Sequence, residues 1–153
     1  MDNLSRKSAW NQKQLKEFLV CSKIPIRVSV LDGEYPLVCS VWFEYLDGKL
    51  IIVSHRESKL AKTLVSQRKC GFEIASNDPP YRGVRGKADV VYELGTSEAT
   101  LRRIIQRYLG ETNQGLASWL LSRVKHEMKF TLHPKWATTW DYSQRMEQTQ
   151  TDP

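Results

Sequence analysis

The run LVCSVWFEYLDGKLIIV, residues 37–53, decides the fold. Its first nine residues alternate: Leu37, Cys39, Val41, Phe43 and Tyr45 fall on one side, Val38, Ser40, Trp42 and Glu44 on the other. Successive side chains of a strand point to opposite faces, so this is a strand with one face in a core. Asp47-Gly48 follows, a dipeptide that tolerates the positive φ angles of a two-residue hairpin turn. Leu50 to Val53 supplies the partner strand.

Working outward, the same period recurs. In KIPIRVSV, Ile24, Ile26, Val28 and Val30 alternate with polar residues, and Pro25, which has no amide donor, places this strand's start or an edge there. Asp32-Gly33 opens a turn before residue 37. Downstream, CGFEIAS puts Cys70, Phe72 and Ile74 on one face. YRGVRGKADVVYEL puts Val84, Gly86, Ala88, Val90 and Tyr92 on one face. The Asn77-Asp78-Pro79-Pro80 cluster separates the two. Closing strands are expected at Met128-Phe130-Leu132 and at Trp136-Thr138-Trp140-Tyr142, broken at His133-Pro134. Helical spacing appears over residues 10–21 (Leu15, Phe18, Leu19), at Leu60, Ala61, Leu64 and Val65, at Leu101, Ile104, Ile105, Tyr108 and Leu109 up to Gly110, and at Leu116, Leu120, Leu121 and Val124. That is about seven strands joined mostly by hairpin-length links. Short links imply antiparallel neighbours, since parallel pairs need long crossovers. The order is not βαβα, and neither GxGxxG nor Walker A occurs. The expected architecture is mainly β, an antiparallel barrel with peripheral helices. Residues 1–9 are expected to be loose, 10–143 to form one domain, and 144–153 a polar tail.

The totals suit one soluble globular domain: 153 residues, 41% hydrophobic and 26% charged. Twenty-three Lys and Arg against 17 Asp and Glu give +6, which favours an anionic ligand. The positive charge is dispersed, whereas a nucleic-acid footprint is clustered, so no nucleic-acid partner is expected. Cys21, Cys39 and Cys70 are odd in number and widely spaced, which argues against a disulfide framework or zinc site and suits a cytoplasmic location. Neither a signal-peptide core nor a bilayer-length apolar stretch is visible, so no membrane association is expected.

Three stretches could carry chemistry. At VSHRESKLAKTL, residues 53–64, a strand hands over to a helix. Ser54 with Glu57 has capping-box spacing, and Ser58 could equally be the N-cap. The same features could seat a phosphate: free amides and a dipole at a helix start, hydroxyls from Ser54 and Ser58, a fork from Arg56 and a point charge from Lys59. Glu57 opposes that unless it points away. In PPYRGVRG, residues 79–86, two glycines permit unusual dihedrals or the close approach of a ligand or backbone. Trp42 beside Ser40 could stack on a planar ligand, or belong to a second buried face or a subunit contact. His55, His126 and His133 are scattered, so no metal site is expected, and no GxSxG or Cys/His nucleophile stands out.

Taken in order, Tyr35-Pro36, Val41-Trp42-Phe43, the Arg56–Lys62 segment, PPYRGVRG and Trp140-Asp141 resemble the pyridoxamine 5'-phosphate oxidase-related flavin-binding split-barrel family, over roughly residues 12–143. The resemblance is to its small single-domain members. It implies a six- to seven-stranded split β-barrel, a homodimer, and a flavin held between subunits. It places the flavin phosphate at Ser54, Arg56, Ser58 and Lys59, with Lys62 one turn on. Ser40, Val41 and Trp42 match the strand along the flavin ring, and Tyr81 and Arg82 match a segment that approaches the cofactor or the partner subunit. The pyridoxal-phosphate-binding C-terminus of true oxidases is not visible in HPKWATTWDYSQRM. The resemblance therefore implies a flavin-dependent oxidoreductase with FMN, or the deazaflavin F-420, acting on a small organic substrate. Haem is the weaker cofactor. The alternatives are a flavin- or haem-storing protein without turnover and, further off, a basic nucleic-acid-binding barrel. No catalytic side chain is assigned.

Overall fold

The structure, a computed structural model, describes residues 3–94 and 98–147. The described elements run α1 (Gln12–Cys21), β1 (Ile26–Asp32), β2 (Tyr35–Val41), β3 (Phe43–Leu46), β4 (Lys49–His55), α2 (Lys59–Gln67), β5 (Lys69–Ala75), β6 (Arg82–Glu93), α3 (Glu98–Leu109), α4 (Gln114–Ser122), β7 (Glu127–Asp141) and α5 (Ser143–Glu147). The strands form one antiparallel sheet in the order β2-β1-β5-β6-β7-β4-β3. The fold is thus mainly β, as the alternating patterns imply. The tail expected at 144–153 coincides with α5 up to Glu147, and its remainder lies outside the described residues. Residues 3–10 lie beside β7: Ser5 donates to the Ala137 carbonyl (2.8 Å) and Ala9 to that of Thr139 (3.2 Å).

Asp47-Gly48 makes the expected turn, with φ of 49° and 78° and Leu46 facing Lys49 across it. The run before it departs from expectation. Residues 37–45 are not one strand. Pairing with β1 ends at Val41, and pairing with β4 begins at Phe43. One stretch of chain therefore forms both edges of the sheet, which curls round until they meet at Trp42. The sheet is split there, because β2 and β3 make no ladder with each other. Alternation could not reveal this, since Val41 and Phe43 keep the same parity across the bend.

The two expected closing strands are one. β7 continues through His133-Pro134, with a bulge that leaves Lys135 opposite no β6 residue. Pro134 does not break the strand because pairing with β4 has already ended at Leu132, so one side of β7 needs no donor there. The extra residue reverses the parity of the strand. Met128, Phe130 and Leu132 point inward before it, Ala137 and Thr139 after it, and Trp136 is left outside.

The barrel interior holds Phe43, Leu50, Ile52, Phe130 and Leu132, all fully buried, with Leu15 and Leu19 of α1 packed among them. α3 stitches the seam. The Tyr108 hydroxyl accepts from the Phe43 amide (3.3 Å) and donates to the Ile24 carbonyl (3.2 Å), and its ring stacks on Trp42 at 5.0 Å. Arg103 forks onto Glu44 with contacts of 2.7 and 3.1 Å. Arg107 caps the end of α1, donating to the carbonyls of Leu19 (2.6 Å), Val20 (2.8 Å) and Ser22. Tyr108→Phe keeps the stack but leaves an amide and a carbonyl without their partner. Urea denaturation is expected to show a loss of about 1–2 kcal/mol.

Candidate functional site at the seam and the β4–α2 junction

β4 ends at His55 and α2 begins at Lys59. Ser58, not Ser54, is the cap: its Oγ accepts from the Ala61 amide at 3.0 Å. Ser54 instead shares a 2.9 Å hydrogen bond with the Ser58 hydroxyl. The two hydroxyls therefore lie side by side at the start of α2, where amides and the helix dipole favour an anion.

The three cations of the junction have acceptors within the chain. Lys59 Nζ lies 2.9 Å from Asp32 Oδ1, Lys62 Nζ lies 2.8 Å from Glu57 Oε2, and the Arg56 guanidinium donates to the Lys125 carbonyl. The contact with Lys62 holds the Glu57 carboxyl below its usual range. Both lysine pairs are more than two-fifths exposed on each side. Exposed pairs of this kind are weak, being screened by solvent. The pairs therefore hold the lysines near the junction without locking them.

Beside the junction, a pocket of about 350 Å³ lies between the outer face of the barrel and the α3–α4 pair. Ser40, Val41 and Trp42 line it at the seam and Val53 lines it on β4, one residue before Ser54. Leu101 and Ile104 of α3 and Leu116 and Leu120 of α4 form the opposite wall. Tyr108 covers one face of the Trp42 ring. Glu127 also lines this pocket, and on β7 it pairs with His55. Burial pushes its carboxyl above the usual range, while His55, Arg123 and His126 pull it back.

The structure thus brings Ser40, Val41 and Trp42 to the outer face of β4 at Val53, and Ser54, Arg56, Ser58, Lys59 and Lys62 to the junction just after it, with Ser54 on the other face of the strand. It does not bring Tyr81 and Arg82 there. Arg82 pairs with Asp141 at one end of β7, whereas Glu127, beside the junction, is at the other. Arg82 lines a separate groove with Trp10 and Glu17. The close approach at Gly83 and Gly86 is by the chain's own backbone and rings.

Sequence reading missed Glu127 and the neighbourhood of His55 and His126, whose rings lie 5.9 Å apart. These residues are about seventy positions apart, and only the β4–β7 register brings them together. Among the described residues no cluster of three or more His, Cys, Asp or Glu could hold a metal ion, and no helix is long and apolar enough to cross a membrane.

No family model matches the chain, and no curated protein matches it. Solved structures do. HutZ, the haem storage protein of Vibrio cholerae, aligns with a TM-score of 0.65 at 14% identity, over 85% of this chain and 93% of that one. An F-420 reductase aligns at 0.65 and 14%, over 80% and 94%. A candidate pyridoxamine 5'-phosphate oxidase from Listeria innocua aligns at 0.60 and 12%, over 83% and 95%. At such identities the likeness is one of fold. In its fold, the chain is a split barrel of the pyridoxamine 5'-phosphate oxidase-like kind.

Proposed function

We propose that the chain is a flavin-dependent oxidoreductase that holds FMN, or the deazaflavin F-420, with its phosphate at the β4–α2 junction and its ring in the seam pocket. One observation carries this reading: the pocket lined by Ser40, Val41 and Trp42 touches β4 at Val53, the residue that precedes Ser54 of the Ser54–Ser58 hydroxyl pair. A ring with a charged tail needs apolar walls for the one and amides, hydroxyls and cations for the other, and here the two lie in adjoining segments of the chain. The volume falls in the range of small-molecule pockets, about 300–1,000 Å³. Ser54, Ser58 and the first amides of α2 would bind the phosphate, with Arg56, Lys59 and Lys62 turning to it from their present partners. Trp42, backed by Tyr108, would keep water from the ring. The cofactor supplies hydride chemistry, and the protein supplies position and electrostatics.

In this reading the protein works as a homodimer in which Tyr81 and Arg82 serve the second copy's site, since within one chain they lie away from the junction. The test is Arg56→Ala combined with Lys59→Ala. It is expected to abolish FMN retention in a fluorescence titration while circular dichroism stays unchanged, and unaltered affinity would sink the phosphate assignment. A second reading, a haem- or flavin-holding protein without turnover, is favoured by the His55–His126 pair beside the pocket. The absorbance spectrum of purified protein separates the two cofactors. Reduction assays with NADH, NADPH and reduced F-420 separate turnover from storage.

A further inference from the structure

Among the described residues, the seam pocket is apolar except at two points, Ser40 and Glu127, and Glu127 is the one ionisable side chain that lines it. Glu127 stands on β7 opposite His55, on the outer face that it shares with Val53, so the strand register fixes where it sits. Its carboxyl makes neither a hydrogen bond nor an ion pair with any of the described residues. The charged and titratable neighbours are His55 on β4 and Arg123 and His126 between α4 and β7. They act on it only through space. A half-buried carboxylate is already partly stripped of water, and a ligand N–H would offset the cost of stripping it further.

We infer that Glu127 orients the ring in this pocket, its carboxylate accepting a hydrogen bond from an N–H on the edge of a flat, mainly apolar ligand. The ligand class is a planar heteroaromatic with a donor edge. Rings that present an anionic group to this end are rejected, because they would face a carboxylate across apolar walls. Burial, the larger effect, favours the acid, and nearby His55, Arg123 and His126 offset it only in part. The inference rests on the placement of the cofactor ring proposed above, and it adds the residue that sets which way round the ring lies.

The experiment uses ring probes without a phosphate tail, so that the junction has no part in it. Lumiflavin and its N3-methyl derivative are titrated by fluorescence against the full chain and against Glu127→Gln and Glu127→Ala, with circular dichroism as the control for folding. A hydrogen bond to a charged group corresponds to roughly a 10-fold or greater preference. Lumiflavin is therefore expected to bind the wild-type chain at least about 10-fold more tightly than the N3-methyl probe. Glu127→Ala should erase that preference, and Glu127→Gln should retain part of it. Equal affinity of the two probes for the wild-type chain, or no binding of lumiflavin, overturns the inference, as does a preference that survives Glu127→Ala. FMN binding with no probe preference would fell this inference and leave the proposed function standing. Probe preference with no FMN binding would do the reverse.

Discussion

Gly86→Ala is expected to cost about 3 kcal/mol or more, at the upper end for overpacking a core. A Cβ built at Gly86 would run into the Trp136 carbonyl oxygen and lie 2.6 Å from Cζ of Phe72. The ring could tilt, but the carbonyl belongs to β7, the neighbour of β6 in the ladder, and cannot retreat without opening that pairing. A change of this size corresponds to a fall in Tm of about 6–12 °C for a domain of this length. The sign is what makes the measurement informative. Alanine in a strand is ordinarily better than glycine by roughly 0.5–1 kcal/mol. Gly115 in α4 is the control, because its added Cβ meets nothing within 4 Å. Gly115→Ala should be neutral or slightly stabilising. Calorimetry of the two variants side by side checks both, and a stable Gly86→Ala would mean that β6 and β7 are further apart than described.

The second large effect is expected at Arg107. Its guanidinium donates to three carbonyls at the end of α1 and lies over the Phe43 ring, 4.9 Å from its centroid. The last carbonyls of a helix lack intrahelical donors, and here one planar fork serves three of them. Its Nε is buried without a hydrogen-bond partner, so the residue already carries a cost that its other contacts offset. Arg107→Ala removes those contacts together and is expected to lose about 3 kcal/mol, with α1 the first element to loosen. Arg107→Lys should recover only part, because one ammonium cannot span the three acceptors. Urea unfolding gives the energies, and amide exchange over Gln12–Cys21 shows where the loss falls. Full rescue by lysine would reduce the role of Arg107 to that of a charge.

The fold was legible wherever local chemistry and tertiary structure agree. Asp47-Gly48 names its turn by the φ angles it allows, and Ile26, Val28 and Val30 name their inward face by period. Legibility ended where long-range pairing decides. Trp42 divides a segment that alternates without a fault, because the bend keeps parity. His133-Pro134 looks like a breaker until β4 is known to stop pairing at Leu132. At the candidate site, the start of the helix near Lys59 could be read from spacing, which left its cap open between Ser54 and Ser58. The acceptors already held by Lys59 and Arg56 could not. Asp32 reaches Lys59 from the β1–β2 hairpin, and the Lys125 carbonyl reaches Arg56 from just before β7. Glu127 was invisible for the same reason, since nothing within a few residues of it hints at β4.

The meeting of both sheet edges at Trp42 has a mechanical consequence. In an open sheet, either outermost strand can peel away while the rest stays intact. Here β2 and β3 are consecutive lengths of one tether, so a displacement of either is transmitted through a single residue to the opposite border. The two rims are thereby tied through the backbone of Trp42, with no ladder between them.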